Sequence, residues 1–112
     1  MFARVARYEV PVEKIETAVE AFRGATEQLE GVSGLQGSYL FTSQEEGVIM
    51  SMTLWESRAA MDESEVRAAR LRREATDQVD GEVTSVQRYE VAVETVTSPS
   101  GLAASSEKTA GP

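Results

Sequence analysis

The 112-residue chain contains no cysteine, no histidine and no asparagine. Without cysteine it can form neither a disulfide framework nor a thiolate metal site, and it has no thiol nucleophile. Histidine is the commonest general base and the commonest metal ligand, so its absence removes both roles at once. The missing asparagine removes one further donor to an oxyanion. Together these absences exclude many familiar catalytic centres, and we assign no catalytic residue and no metal site.

Basic residues are also scarce, with 11 Lys and Arg against 19 Asp and Glu and a formal net charge of -8. A field of that sign repels phosphate backbones and anionic membrane surfaces, so we expect no nucleic-acid partner and no membrane partner. No apolar run approaches the roughly 20 residues of a membrane span, and the first residues are too polar for a signal peptide. The sequence therefore predicts a cytoplasmic protein.

Apolar residues make up 41% of the chain, and part of them follow the alternation of β-strands. Segments rich in Val, Tyr and Phe predict four strands, over Phe2–Val10, Val32–Thr42, Gly47–Glu56 and Val83–Glu94. Pro11 ends the first strand because proline cannot donate to a sheet ladder. The second and third strands are joined by a short polar loop, which predicts a hairpin.

Other apolar residues recur at helical spacing. They predict a first helix over Val12–Glu30, ended by Gly31 in a left-handed conformation. After a short initial turn, a second helix runs to about Val79, and Asp62 with Glu65 resembles its capping pair. The apolar stripe of the first helix consists of Ile15, Ala18, Val19, Phe22, Ala25 and Leu29.

The order βαββαβ predicts a ferredoxin-like α+β fold. Right-handed crossovers give an antiparallel four-stranded sheet with strands 1 and 3 in the centre and both helices on one face. We place this single domain at residues 1–94. Residues 95–112 are rich in Ser, Thr, Ala and Gly and lack the apolar content to offset their ordering entropy, so we predict a disordered tail.

The third strand has large apolar side chains on both faces. One alternate set is Val48, Met50, Met52 and Leu54, and the other is Ile49, Ser51, Thr53 and Trp55. Two helices cover only one face of such a sheet, so a second copy of the chain is expected on the other. The sequence therefore predicts a homodimer in the form of a dimeric α+β barrel.

The segment Met52–Met61, which reads MTLWESRAAM, resembles the antibiotic biosynthesis monooxygenase family. The resemblance extends over Phe2–Glu94 and implies a dimeric α+β barrel. This family includes cofactor-independent oxygenases of polycyclic phenols and quinols, and haem-degrading enzymes that use an Asn, a Trp and an iron-binding His. Trp55 matches the Trp, whereas Ala6 and Leu71 stand near the other two positions. Leucine cannot bind iron, which disfavours haem degradation.

The resemblance thus implies a cofactor-independent monooxygenase that oxidises a small aromatic or polycyclic phenol or quinol. Trp55 and Tyr39 would form walls of the substrate pocket, and Arg88 or Tyr8 would donate to a phenolate oxygen. Met61 would be an adaptable lining for a hydrophobic ligand. No cofactor is expected. The alternative is a non-catalytic dimeric module that binds a small apolar metabolite or has a structural role.

Each of these residues also has a purely structural interpretation. Trp55, Met61 and the tyrosines could be packing residues. An inward-facing Arg88 would need an ion-pair partner such as Glu90 or Glu9. The four arginines of the second helix are interpreted as a solvated face, because they spread around it among acidic residues; they are Arg67, Arg70, Arg72 and Arg73.

Overall fold

The computed structural model of the chain describes residues 1–97. The strands are β1 (Phe2–Glu9), β2 (Leu35–Ser43), β3 (Val48–Trp55) and β4 (Glu82–Glu90). The helices are α1 (Ile15–Glu27), α2 (Arg58–Glu63) and α3 (Glu65–Asp77), with a short 3-10 turn, Val12–Lys14, before α1.

All neighbouring strands are antiparallel, and their order is β2-β3-β1-β4. The central positions of β1 and β3 confirm the predicted ferredoxin-like α+β fold. Residues 98–112, which make up most of the predicted tail, lie outside the described residues, so the disordered tail stays a prediction. Within residues 1–97, no helix is both long enough and apolar enough to cross a membrane.

The core lies between the sheet and the helices. Tyr8 and Ile49 are paired across β1 and β3, and both are fully buried. The ring of Tyr8 contacts Phe22 of α1, with 4.4 Å between the ring centroids. Ile15 and Ala18 complete the buried stripe of α1, as the helical spacing predicts.

The first helix is shorter than predicted, because it ends at Glu27 rather than Glu30. The amide of Leu29 donates to the carbonyl of Thr26 at 2.9 Å, which spans three residues, as in a 3-10 turn, rather than the four of an α-helix. This turn carries the Leu29 side chain into the layer between helices and sheet, where it is buried. Gly31 follows with a φ of 84°, the left-handed conformation expected of it.

The second predicted helix is divided into α2 and α3, and its cap differs from the prediction. The hydroxyl of Ser57 accepts from the amide of Ala60 at 3.1 Å and caps α2. Asp62 lies inside α2 and makes no cap. At the buried junction, the hydroxyl of Ser64 donates to the carbonyl of Met61 at 2.8 Å. Glu65 is thus the first residue of α3, and its carboxylate is available for other contacts.

The second face of the sheet carries apolar side chains that no element within residues 1–97 covers. Tyr39 and Phe41 of β2 are 57% and 47% exposed, and their rings are stacked with centroids 6.1 Å apart. They are paired with Met52 and Met50 of β3, and the half-exposed Tyr89 of β4 lies on the same face. We call this surface the open face.

Candidate functional site

A cavity of about 40 Å³ lies between the sheet and the helices. Its polar lining comes from the helix side of β1 and β3 and from α3: Arg4, Tyr8, Ser51, Thr53 and Arg72. Its apolar lining comes from β1, α1, the following turn and α3: Ala6, Phe22, Ala25, Leu29, Ala68 and Leu71. Thr26 completes the lining. We call this space the inner cavity.

Tyr8 is the residue of the sequence prediction that lines the inner cavity directly. Its hydroxyl shares a 2.8 Å hydrogen bond with the hydroxyl of Ser51, in which either oxygen can donate. Burial raises the pKa of Tyr8, and this outweighs the lowering by the Ser51 hydrogen bond and by the charges of Arg72 and Arg4. The Tyr8 hydroxyl is therefore a neutral hydrogen-bond donor at neutral pH.

Arg4 is the most buried charged residue of the site, with 2% of its side chain exposed. Its Nη1 donates to the carbonyl of Met61 at 3.1 Å and to Oε1 of Glu65 at 3.0 Å. Its Nη2 donates to the hydroxyl of Ser64 at 3.1 Å. The guanidinium also lies 5.3 Å from the ring centroid of Trp55, within the range of a cation–π contact. These contacts hold Arg4 between β1 and the junction of α2 and α3.

Glu65 forms ion pairs with three arginines: Arg4 at 3.0 Å, Arg72 at 3.1 Å and Arg88 at 2.8 Å. Desolvation alone would raise the pKa of Glu65. The hydrogen bond from Arg88 and the three positive charges together outweigh desolvation, and the pKa lies below its ordinary value. Three guanidinium groups against one carboxylate leave two surplus positive charges; Arg4 and Arg72 line the inner cavity, and Arg88 is 39% exposed outside it. We call these four residues the Glu65 cluster.

Trp55 is fully buried at the end of β3. Its indole nitrogen donates to the hydroxyl of Thr53 at 2.9 Å, and the Arg4 guanidinium lies over its ring. Trp55 does not itself line the inner cavity. Its contact with the site passes through Arg4 and Thr53, both of which line the cavity.

Met61 and Arg88 are likewise connected to the site through the Glu65 cluster. Met61 is buried, and its carbonyl oxygen, rather than its thioether, makes the polar contact with Arg4. Arg88 forms an ion pair, as the structural interpretation proposed, but its partner is Glu65 and neither Glu90 nor Glu9. Its side chain is 39% exposed at the rim of the cluster.

Tyr39 is separated from the other predicted site residues by the sheet. It is paired with Met52, the neighbour of Ser51 and Thr53 along β3, so its side chain points to the open face. Trp55 lies on the helix side. The structure therefore does not bring Tyr39 and Trp55 together as two walls of one cavity.

The sequence interpretation missed Arg4, Ser51 and Thr53, and it was wrong for Arg72. The side chain of Arg72 is only 13% exposed, whereas Arg70 on the same helix is 50% exposed and pairs with Glu74. A signal for two of these residues was present, since Ser51 and Thr53 place a polar pair within one alternate set of an otherwise apolar strand. A similar signal is a charged residue in the same alternate set as Ala6 and Tyr8, which is Arg4.

A second space lies outside the inner cavity, between α1 and the edge strand β2. It is an open groove of about 530 Å³. Thr26 of α1 lines both the groove and the inner cavity. We call this space the outer groove; its other lining residues are Val19, Arg23, Glu27, Glu30, Ser38, Tyr39, Leu40 and Thr42.

Comparisons with known proteins agree with the fold and connect it to a family. A family model described as antibiotic biosynthesis monooxygenase matches residues 1–69. Comparison with curated protein sequences gives no match.

Solved structures of the same fold include an antibiotic biosynthesis monooxygenase with 20% identity and a TM-score of 0.63, covering 83% of this chain and 100% of that one. Rv0793 from Mycobacterium tuberculosis has 16% identity and a TM-score of 0.66, with 85% and 98% covered. The heme degrader MhuD from the same organism, solved with two hemes in its active site, has 19% identity, a TM-score of 0.65, and 86% and 100% covered. At these identities, the structural similarity shows the fold alone.

The residues around the inner cavity do not fit haem. Haem iron takes an axial ligand from His, Cys, Met or Tyr, and the chain has no His or Cys. Leu71 and Ala6 line the cavity, and the hydroxyl of Tyr8 is bonded to Ser51. The cavity measures about 40 Å³, whereas pockets for drug-sized ligands begin at about 300 Å³. Within residues 1–97, no three acidic side chains are grouped so that they could hold a metal ion.

Proposed function

Because the chain belongs to the antibiotic biosynthesis monooxygenase family, we propose that it is a cytoplasmic oxygenase of a small aromatic or polycyclic phenol or quinol. The reaction would use dioxygen without metal, haem or flavin. The observation that carries this proposal is the surplus positive charge of the Glu65 cluster, two arginines of which line the inner cavity, Arg4 and Arg72. Such charges favour the phenolate over the phenol, and the phenolate is the form that gives up electrons more readily.

In the proposed reaction the substrate itself supplies the electrons. One oxygen atom of dioxygen becomes a ring carbonyl at a carbon that carried hydrogen, which converts the phenol into a quinone. The other oxygen atom leaves as water with the hydrogen from that carbon and the proton of the phenol hydroxyl. The protein contributes binding and stabilisation of negative charge. Tyr8 would donate a hydrogen bond to the phenolate oxygen, since its own hydroxyl stays protonated.

Size determines where the ring would lie. A buried space of about 150 Å³ holds benzene, and the inner cavity has about 40 Å³. The outer groove, at about 530 Å³, is large enough for one or more rings. We therefore place the ring in the outer groove, with the reacting edge directed past Thr26 toward Tyr8.

The proposed enzyme is a homodimer in which the open faces of two copies meet. The support is the exposed apolar surface around Tyr39, Phe41 and Tyr89. Burying about 400 Å² of such surface per subunit would contribute on the order of 10 kcal/mol as an upper bound. Light scattering should therefore give the mass of two chains at micromolar concentration. A single-chain mass would contradict the proposed dimeric barrel.

Oxygen uptake tests the proposed activity. Purified protein is mixed with a panel of quinols and hydroxynaphthalenes, and uptake is compared with that of buffer alone. We expect the rate to fall at least tenfold in Tyr8→Phe and to stay within twofold in Tyr89→Phe, which removes a hydroxyl from the open face. If no substrate raises uptake above the buffer rate, the oxygenase proposal fails for that panel.

The second candidate function is a non-catalytic module that binds a small apolar metabolite. It is favoured by the mutual pairing of the polar groups at the site: Tyr8 with Ser51, and Trp55 with Thr53. Trp55 is the one tryptophan of the chain, so its fluorescence reports binding near Arg4. Ligand-dependent quenching without oxygen uptake would favour this second function.

A further inference from the structure

The Glu65 cluster holds more positive charge than a phenolate would neutralise. Among residues 1–97, Glu65 is the one carboxylate within 4.0 Å of the guanidinium groups of Arg4, Arg72 and Arg88. Arg4 is almost fully buried and Arg72 is largely buried. A buried charge without a counter-charge is costly. The surplus is notable in a chain whose formal net charge is -8. A phenolate would neutralise one of the two surplus charges and leave the other.

Arg72 has the donors to receive a second anionic group. It lines the inner cavity, and its one acceptor among residues 1–97 is Oε2 of Glu65. A guanidinium carries five N–H donors in a planar fork, which matches the two oxygens of a carboxylate. Arg4 also lines the cavity, but three contacts with Met61, Ser64 and Glu65 already hold it.

The volume of the inner cavity also favours a carboxylate-sized group. About 40 Å³ is too little for an aromatic ring but sufficient for a group of three heavy atoms. Thr26 is the residue that the inner cavity shares with the outer groove. A ligand that uses both spaces has a small anionic head and an aromatic body.

We infer that the ligand of this site is an aromatic acid whose carboxylate binds Arg72 and Arg4 in the inner cavity while its ring lies in the outer groove. The inference rests on the proposed function in one respect, the phenol or quinol character of the ring. The carboxylate is assigned from charge and volume alone. The substrate class is therefore a hydroxyaryl carboxylic acid, with the carboxylate close to the reacting hydroxyl.

Binding without oxygen tests the inference separately from catalysis. Under anaerobic conditions, 1-hydroxy-2-naphthoate and the neutral 1-hydroxy-2-naphthamide are titrated into the full chain. Binding is followed by calorimetry and by Trp55 fluorescence. We expect the acid to bind at least tenfold more tightly than the amide. Equal affinities, or no binding of either compound, would overturn the inference.

Two arginines of α3 provide a matched pair of variants. Arg72→Gln should reduce the preference for the acid to less than threefold, whereas Arg70→Gln, at an exposed position, should keep it. Circular dichroism checks that both variants are folded. If Arg72→Gln does not fold, Arg72→Lys is used instead. It keeps the charge but loses the planar fork, and it should reduce a tenfold preference for the acid to about threefold. An unchanged preference in the folded Arg72 variant contradicts the inference.

The position of the ring is tested at Thr26. Thr26→Leu enlarges the side chain between the two spaces and should weaken binding of the naphthoate about tenfold. Thr84→Leu, on β4 and away from the groove, is the control and should have no effect. Naphthoate binding that Thr26→Leu leaves unchanged would remove the outer groove from the inference.

The outcomes for the two proposals can be told apart. If the acid binds through Arg72 and no hydroxyaryl acid raises oxygen uptake, the oxygenase proposal fails and the ligand class stands. If neutral quinols raise oxygen uptake and the acid has no advantage in binding, the ligand class fails and the oxygenase proposal stands.

Discussion

The two faces of the sheet differ in where they place polar and apolar groups. The face beneath the helices contains a buried arginine, a hydrogen-bonded pair of hydroxyls and a small cavity. The open face presents stacked aromatic rings and methionines to the outside of the described chain. A sheet adapted to stand alone would show the reverse distribution, with polar groups outside. In the proposed function, the covered face therefore binds the small ligand and the open face contacts the second chain.

The largest expected effect is a difference in the free energy of unfolding lost by substitutions on the two faces. Trp55→Ala removes a fully buried side chain of the covered face and should reduce the free energy of unfolding by about 3–5 kcal/mol. Phe41→Ala, at a half-exposed position of the open face, should cost about 1 kcal/mol in the isolated chain. Guanidinium unfolding followed by circular dichroism at several protein concentrations measures both. The Phe41 loss should grow with concentration if dimers form, and equal, concentration-independent losses would remove the distinction between the faces.

The next effect concerns assembly. Met52→Glu places a charge in the middle of the open face, and the dimer would have to bury one such charge from each copy. We expect dimerisation to weaken by about 3 kcal/mol, roughly 150-fold in the dissociation constant. Val66→Glu, on the exposed side of α3, is the matched control and should leave the mass unchanged. Light scattering over a dilution series measures both; a Met52→Glu chain that dimerises like the unmodified protein would argue against this face as the interface.

Whether a face could be predicted from the sequence depends on how far apart in the chain its contacting residues lie. The open face and the strand order were predictable, because alternation along β3 and the turns around it are local patterns. The apolar side chains on both faces of β3 were recognised from the same alternation, whereas the second copy of the chain expected over the open face stays a prediction. The alternation did not show that Ser51 and Thr53 line a cavity; it showed only two polar residues in an otherwise apolar strand.

The Glu65 cluster was not predictable, because its members are far apart in the sequence. Arg4 of β1 meets Glu65 and Arg72 of α3 and Arg88 of β4 only when the sheet and the helices are assembled. On the helix alone, Arg72 belongs to a set of arginines interspersed with acidic residues, which is typical of a solvated face. The orientation of α3 over the sheet, which that pattern does not contain, decides which arginine points inward.

A smaller effect is expected from the charge of Glu65. Its folded-state pKa is depressed, so its contribution to stability is complete above the unfolded-state pKa of about 4.3 and is lost as the pH falls through the lower folded value. Glu65→Gln should cost about 2 kcal/mol at pH 7, because three arginines lose their common counter-charge. Denaturant unfolding from pH 7 to pH 3 should show less acid destabilisation in the variant. Parallel curves for the two proteins would mean that Glu65 is not the controlling carboxylate.

The smallest effect tests whether the hydroxyl pair of the covered face serves stability or binding. Tyr8→Phe removes one partner of the bond with Ser51 and should cost about 1 kcal/mol, as a single neutral hydrogen bond does. Because burial raises the pKa of Tyr8, this cost should be constant between pH 6 and pH 9. Tyr89→Phe removes an exposed hydroxyl that donates to Gln87, and its cost should be close to zero.

A double-mutant cycle of Tyr8→Phe with Ser51→Ala completes the test. If the two hydroxyls act as a pair, the combined loss is smaller than the sum of the single losses by about 1 kcal/mol. A stability loss of that size is too small to explain a tenfold loss of ligand turnover in a protein that remains folded. If turnover falls while the folded fraction stays constant, the Tyr8 hydroxyl contacts the ligand. If turnover changes only as stability does, the hydroxyl has a structural role in the core.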